Sequence, residues 1–133
     1  MGNDNIKYDS TKRTNPEINT FGSGAIREKK SGKGRFDLIT PIGLRRLAKH
    51  YENGAVVHGD RNWEKGMPIS TYIDSAERHI NDYKEGDRAE DHLAAIAWNV
   101  FAAIHTEEMI ARGLMNKDMD NMPSFIREGD KDG

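Results

Sequence analysis

From Leu93 to Ile104 the chain carries eleven apolar residues out of twelve, and the exception is Asn99. A helix that is apolar on every side has to be surrounded by protein. It is not stable alone in water, so whatever else this chain forms must wrap that segment.

Two further stretches have the pattern to do so. Thr40-Pro41 reads as an N-cap followed by proline at the first helical position. Leu44, Leu47, Ala48, Tyr51 and Ala55 then recur at i, i+3, i+4, i+7 and i+11, the apolar face of a first helix. Asn53-Gly54 is its expected stop. A second helix is expected from Ser70 or Thr71, with Ile73, Ala76, Ile80 and Tyr83 as its buried stripe and Gly86 at its end. Asp87, with Glu90 three residues on, resembles a capping box opening the third helix. There is no internal repeat and no convincing strand. The predicted fold class is all-α, a small bundle of three main helices with flexible N- and C-terminal tails. Three such helices make a thin core. Dimerisation is expected to complete it, each large apolar side chain gaining roughly 1.5–3 kcal/mol on burial.

Composition supports that division. Only 35% of the 133 residues are hydrophobic and 32% are charged, so part of the chain is expected to stay unpacked. The predicted organisation is a flexible tail over 1–24, a helical domain over 25–112 and an acidic tail over 113–133. The acidic tail holds Asp118, Asp120, Glu128, Asp130 and Asp132, with one turn expected to be pinned by Met119, Met122 or Phe125. A net charge of −2 gives no general attraction for nucleic acid or a membrane surface. The absence of cysteine excludes disulfides, zinc–thiolate sites and thiol nucleophiles. The opening Met-Gly-Asn-Asp-Asn lacks the apolar core of a signal peptide, and no apolar run spans a bilayer. A cytoplasmic protein is expected.

The polar residues near the helix junctions carry the chemistry. Glu90, Asp91 and His92 are consecutive. Carboxylates suit a helix N-terminus on structural grounds, and carboxylates with imidazoles on facing helices also build metal sites. The second helix offers Asp74, Glu77, Arg78 and His79, where Asp74 and Arg78 are spaced for an ion pair. His79 flanks the apolar stripe, either as a packed core residue or as a partner for His92. Asp60-Arg61-Asn62-Trp63-Glu64-Lys65 combines cations for phosphate, an aromatic for a base and carboxylates for a metal. It is equally readable as a solvated turn anchored by Trp63. Asn99 lies on nearly one stripe with His92 and Ala95, which suits a ligand pocket or a structural hydrogen bond. The basic stretch Lys29–Arg35 is a phosphate cradle or a solvated segment. It is not a Walker loop, because Gly32-Lys33 is followed by Gly34. Gly-x-Ser-x-Gly and His-Glu-x-x-His are absent, and Asp91-His92 reverses the His-Asp order of HD phosphohydrolases.

Several strings together resemble a known family. They are the run Gly32 to Ile39, Tyr51-Glu52-x-Gly54-Ala55, and Gly59-Asp60-Arg61-Asn62-Trp63-Glu64-Lys65-Gly66. Ser75-Ala76-x-Arg78-His79, Glu90-Asp91-His92-Leu93-Ala94-Ala95 and Trp98-Asn99 complete the set. The set resembles the bacteriophage dATP/dGTP diphosphohydrolases, the MazZ-like group related to MazG-type pyrophosphohydrolases, from Ala25 to about Glu108. That resemblance implies hydrolysis of a deoxypurine nucleoside triphosphate (dGTP or dATP) to monophosphate and pyrophosphate in phage nucleotide metabolism. MazG-type relatives hold magnesium with Glu-x-x-Glu on one helix and Glu-x-x-Asp on the next. The nearest equivalents here are Asp74-x-x-Glu77 and Asp87-x-x-Glu90, and the His79–His92 pair has no counterpart in that pattern.

The resulting expectation is a pocket between the second and third helices and the 59–65 loop. Glu77, Glu90 and Asp91 are the expected ligands of Mg2+ or Mn2+. His79, Asp91 and His92 are the expected catalytic groups. Lys33, Arg35, Asp60, Arg61, Asn62, Trp63, Lys65, Arg78 and Asn99 are the expected substrate contacts. The rival readings are a non-catalytic nucleotide-binding protein and a phage–host interaction module.

Overall fold

A computed structural model of the chain describes residues 18–28, 32–126 and 129. The first 17 residues and most of the final seven, where parts of both expected tails fall, lie outside the described residues.

Helix α1 spans Pro41–His58. It starts where the sequence requires: Thr40 Oγ1 accepts the Gly43 N–H at 3.2 Å and Pro41 fills the first position. The expected stop at Asn53-Gly54 is corrected. A glycine inside a helix costs about 1 kcal/mol relative to alanine and does not by itself end it. The helix runs through Gly54 to Gly59, whose φ of 88° takes the chain out of the helical region.

Helix α2 spans Ile69–Lys84, with Gly86 just beyond it at φ 96°. Its buried residues are Ile69, Tyr72 and Ala76. The expected stripe is therefore turned by about one residue: Ile73 is half-buried, and Ile80 and Tyr83 are exposed.

Helix α3 spans His92–Ala111 and is capped by Asp91, whose Oδ1 accepts the Ala94 N–H at 3.1 Å. The expected capping box at Asp87 is corrected. Asp87 lies in the preceding turn, and its carboxylate takes the Ala89 N–H and the His92 ring instead. Helices α1 and α2 both pack against α3. Ala94, Ala95 and Ala102 are buried there and let the neighbouring helices approach closely. Leu93, Val100, Phe101 and Ile104 remain 40–57% exposed, so α1 and α2 leave one side of α3 uncovered.

This is the expected all-α bundle of three helices, with one addition. Strands β1 (Ile18–Thr20) and β2 (Ile26–Glu28) form a short antiparallel ribbon, Ile18 opposite Glu28. Three-residue strands are too short to show a period. At the other end, a turn at Lys117–Met119 packs back on the bundle. Asn121 Oδ1 accepts the Ser70 N–H at 3.0 Å and its Nδ2 donates to Ser70 Oγ at 2.7 Å. Of the residues expected to pin this segment, Met119 lies beside Gly66 and Phe125 is exposed. Among the described residues no helix is long and apolar enough to cross a membrane.

Candidate functional site

The α2–α3 junction gathers the site. His79 sits seven residues after Tyr72, at the C-terminal end of the buried face of α2. His92 opens α3 and is 2% exposed. Their Nδ1 atoms are 2.9 Å apart. The turn through Gly86 folds the intervening carboxylates back over both rings. Glu90 Oε1 lies 3.5 Å from His79 Nδ1 and 3.9 Å from His92 Nδ1. On the far side of the ring, His92 Nε2 is 2.9 Å from Asp87 Oδ2. Among the described residues, two three-residue groups could hold a metal ion: His79, Glu90 and His92, or Asp82, Asp87 and His92, the ligand atoms of each lying within 4.8 Å of one another.

Charge surrounds this junction. Arg46 of α1 reaches across to Asp91, with Nε to Oδ2 at 2.8 Å and a guanidinium nitrogen to Oδ1 at 2.5 Å. That contact holds the Asp91 carboxyl down at about 2. The backbone N–H of Ala89 and the His92 ring hold Asp87 below the usual carboxylate range. Arg46, Lys49, His50, Glu90 and Asp91 line a hollow of about 490 Å³ beside the junction. Burial pushes the His50 imidazole below its ordinary value, and neighbouring His79 pushes it the same way. Arg88 stacks over the Tyr83 ring at 3.9 Å.

A second hollow, of about 440 Å³, lies on the other flank of α1. Tyr51, Trp63 and Trp98 wall it, and Asp60, Arg61 and Asn62 rim it. Trp63 meets Tyr51 edge-on at 6.1 Å and His105 at 5.0 Å. Trp98 contacts His50, Tyr51 and Tyr72 at 6.1–6.2 Å. Burial raises the Tyr51 phenol above its ordinary value. Arg61 takes a left-handed backbone, φ 61°, and pairs with Glu64.

The expected site residues thus divide. His79, Glu90 and His92 come together. Asp91 is next to them but engaged with Arg46. Glu77 lines an open, shallow depression with Asp74, Arg78, His79 and Asp82, and Arg78 pairs with Asp74. Asp60, Arg61, Asn62 and Trp63 belong to the aromatic hollow, with Lys65 exposed on the same turn. Asn99 is buried and donates to its own helix, Nδ2 to Ala95 O at 2.9 Å. Arg35 pairs with Asp37 at 2.7 Å beside exposed Lys33, ahead of α1. Sequence reasoning missed Arg46 and His50 as site residues, and it named Asp87 only as a helix cap and as part of the nearest equivalent of a family metal motif, not as the partner of His92. Only Asp87 had a local signal, its place in the polar turn before His92.

No curated protein and no solved structure matches the chain significantly. The family described as dATP/dGTP diphosphohydrolase, N-terminal, matches residues 23–117. The match spans more than half of the chain and takes in α1, α2, α3, the imidazole–carboxylate junction and the aromatic hollow. The chain therefore belongs to the dATP/dGTP diphosphohydrolase N-terminal family.

Proposed function

We propose that this protein hydrolyses deoxypurine nucleoside triphosphates, dGTP or dATP, to monophosphate and pyrophosphate with a divalent metal ion at His79, Glu90 and His92. The convergence of these three side chains at the α2–α3 junction carries the reading, together with family membership. Its setting in this reading is phage nucleotide metabolism, as for the proteins the sequence resembles.

The donor chemistry tests which ion suits the group. Magnesium takes oxygen ligands and demands near-octahedral geometry, whereas imidazole nitrogens suit transition metals. Two imidazoles and one carboxylate therefore fit Mn2+ or a similar transition ion better than Mg2+. Such an ion supplies neutralisation of phosphate charge and an acidified water. The chain's own groups do the rest. Arg46 and Lys49 bring positive charge to the triphosphate from the α1 side of the hollow. His50, kept neutral by burial, accepts a proton at a ring nitrogen. Asp91 holds Arg46 in place.

The separation of the aromatic hollow from the imidazole–carboxylate group favours a second reading. There a nucleotide base stacks among Tyr51, Trp63 and Trp98 and the triphosphate is never cleaved. A second copy of the chain covering Leu93, Val100, Phe101 and Ile104 belongs to either reading. Light scattering of the purified protein tests that association.

Purified full-length chain incubated with dGTP or dATP and Mn2+ is expected to release pyrophosphate. Glu90→Gln removes a direct ligand and should lower metal affinity by more than the roughly 10- to 100-fold that losing an outer-shell partner costs. Tryptophan quenching by nucleotide with no pyrophosphate under Mn2+, Mg2+ or Co2+ replaces the enzyme reading with the binding one.

A further inference from the structure

We infer that Asp87 is a positioning residue: it fixes the tautomer of His92 and so makes Nδ1 the atom that faces the metal. The inference rests on the metal reading of the His79–Glu90–His92 group. It begins from burial. The His92 side chain is 2% exposed, so the ring is shielded from bulk water and its nitrogens are partnered by protein groups. Both nitrogens have a protein partner at 2.9 Å, His79 Nδ1 on one side and Asp87 Oδ2 on the other.

A neutral imidazole has one N–H and one lone pair, and an ionised carboxylate can only accept. Nε2 therefore carries the hydrogen and donates it to Asp87. Nδ1 is left with the lone pair, pointing toward His79 and Glu90. The Asp87 carboxylate cannot rotate freely out of this role, because its Oδ1 accepts the Ala89 N–H at 2.9 Å. A carboxylate holding the far N–H of a metal-binding histidine is a recurrent way to fix ring orientation and raise ligand basicity.

The two histidines differ in their need for such a partner. The His79 side chain is 23% exposed and can move its proton between ring nitrogens through solvent. His92 has no such route. The same assignment decides between the two candidate groups. The alternative group of Asp82, Asp87 and His92 lies on the Nε2 side of the ring. With Nε2 protonated and bonded to Asp87, that side has no lone pair to offer, and the ion goes to the Glu90 side.

Long-range 1H–15N correlation of the histidine rings in the full-length protein, without added metal, reads the tautomer directly. His92 is expected as the Nε2–H form. In Asp87→Asn the amide oxygen keeps the Ala89 N–H and the amide nitrogen turns its hydrogens on Nε2. The tautomer should invert to Nδ1–H, and Mn2+ affinity by calorimetry should fall about 10- to 100-fold. Asp87→Glu should retain the Nε2–H form, and Asp82→Asn should leave Mn2+ affinity unchanged. An Nδ1–H ring in the wild type overturns the inference. So does an unchanged ring in a folded Asp87→Asn, or an Asp82→Asn loss equal to that of Asp87→Asn. If Asp87→Asn does not fold, the wild-type spectrum and Asp87→Glu still decide. A wild type that binds no Mn2+ removes the metal reading, and the tautomer still decides whether Asp87 sets the ring.

Discussion

Arg46 on α1 clasps Asp91, the residue that caps α3, through two hydrogen bonds of 2.8 and 2.5 Å. One carboxylate thus starts a helix and ties another helix to it. With its folded value at about 2, Asp91 contributes stability that is present above about pH 4, its ordinary range. That contribution is lost as pH falls toward 2. Asp91→Asn keeps a capping oxygen and loses the charge, so its acid unfolding curve should be flatter between pH 4 and 2 than that of the wild type. Asp91→Ala should in addition lose about 1 kcal/mol at neutral pH through the missing cap. Urea melts across pH read both effects, and a wild-type acid slope in Asp91→Asn would count against the assignment.

His50 gives the opposite end of the pH range. Its folded value lies below the ordinary 6.5, mainly through burial and then through His79. A neutral buried histidine takes up its proton more readily when unfolded, so its contribution is present above pH 6.5 and declines as pH falls below that. His50→Asn should therefore lose less melting temperature than the wild type between pH 7.5 and 5.5. Equal losses would mean that His50 is not held neutral.

Tyr72 is among the most buried side chains, and its hydroxyl has no hydrogen-bond partner among the described residues. An unpaired buried hydroxyl costs about 1–3 kcal/mol, and the ring's packing on Trp98 does not need it. Tyr72→Phe should raise the unfolding free energy by on the order of 1 kcal/mol, read as a higher urea midpoint with an unchanged slope. A lowered midpoint would mean that the hydroxyl is paired.

Gly66 joins the 62–65 turn to α2 with φ 78°. A methyl group there would come within 2.6 Å of Met115 Sδ and 3.2 Å of Met119 Sδ. Gly66→Ala combines backbone strain with that crowding, and a loss of about 1–3 kcal/mol is expected in a thermal melt. Adding Met115→Ala should recover the crowding part and leave the strain.

How far the sequence reached depended on the range of each interaction. The start of α1 was legible because Thr40 and Pro41 act within one turn. Its end was not, because Gly54 and Gly59 read alike until the backbone shows which one leaves the helix. Asp87-x-x-Glu90 had the spacing of a capping box, yet Asp91 captured the Ala94 N–H and freed Asp87 for His92. The pairing of His79 with His92 was readable as two imidazoles near one helix junction. Arg46 and His50 were not, since both act across the bundle from a helix whose own pattern only announces packing. The 59–65 loop was legible as a cluster with ligand-like chemistry. Its position on the far flank of α1 from His92 was invisible without the crossing of the helices.

The start of α2 is held from a distance. Ser70 donates its N–H to Asn121 and accepts at its hydroxyl from the same side chain, 51 residues later in the chain. The family match stops at residue 117, four positions short of that side chain. A shortened chain cut at the family boundary would keep every histidine and carboxylate of the junction, yet begin the helix that carries His79 with a loose first turn. The α2 start therefore depends on the chain through at least Asn121, and a peptide carrying that segment becomes a natural candidate for restoring a truncated form.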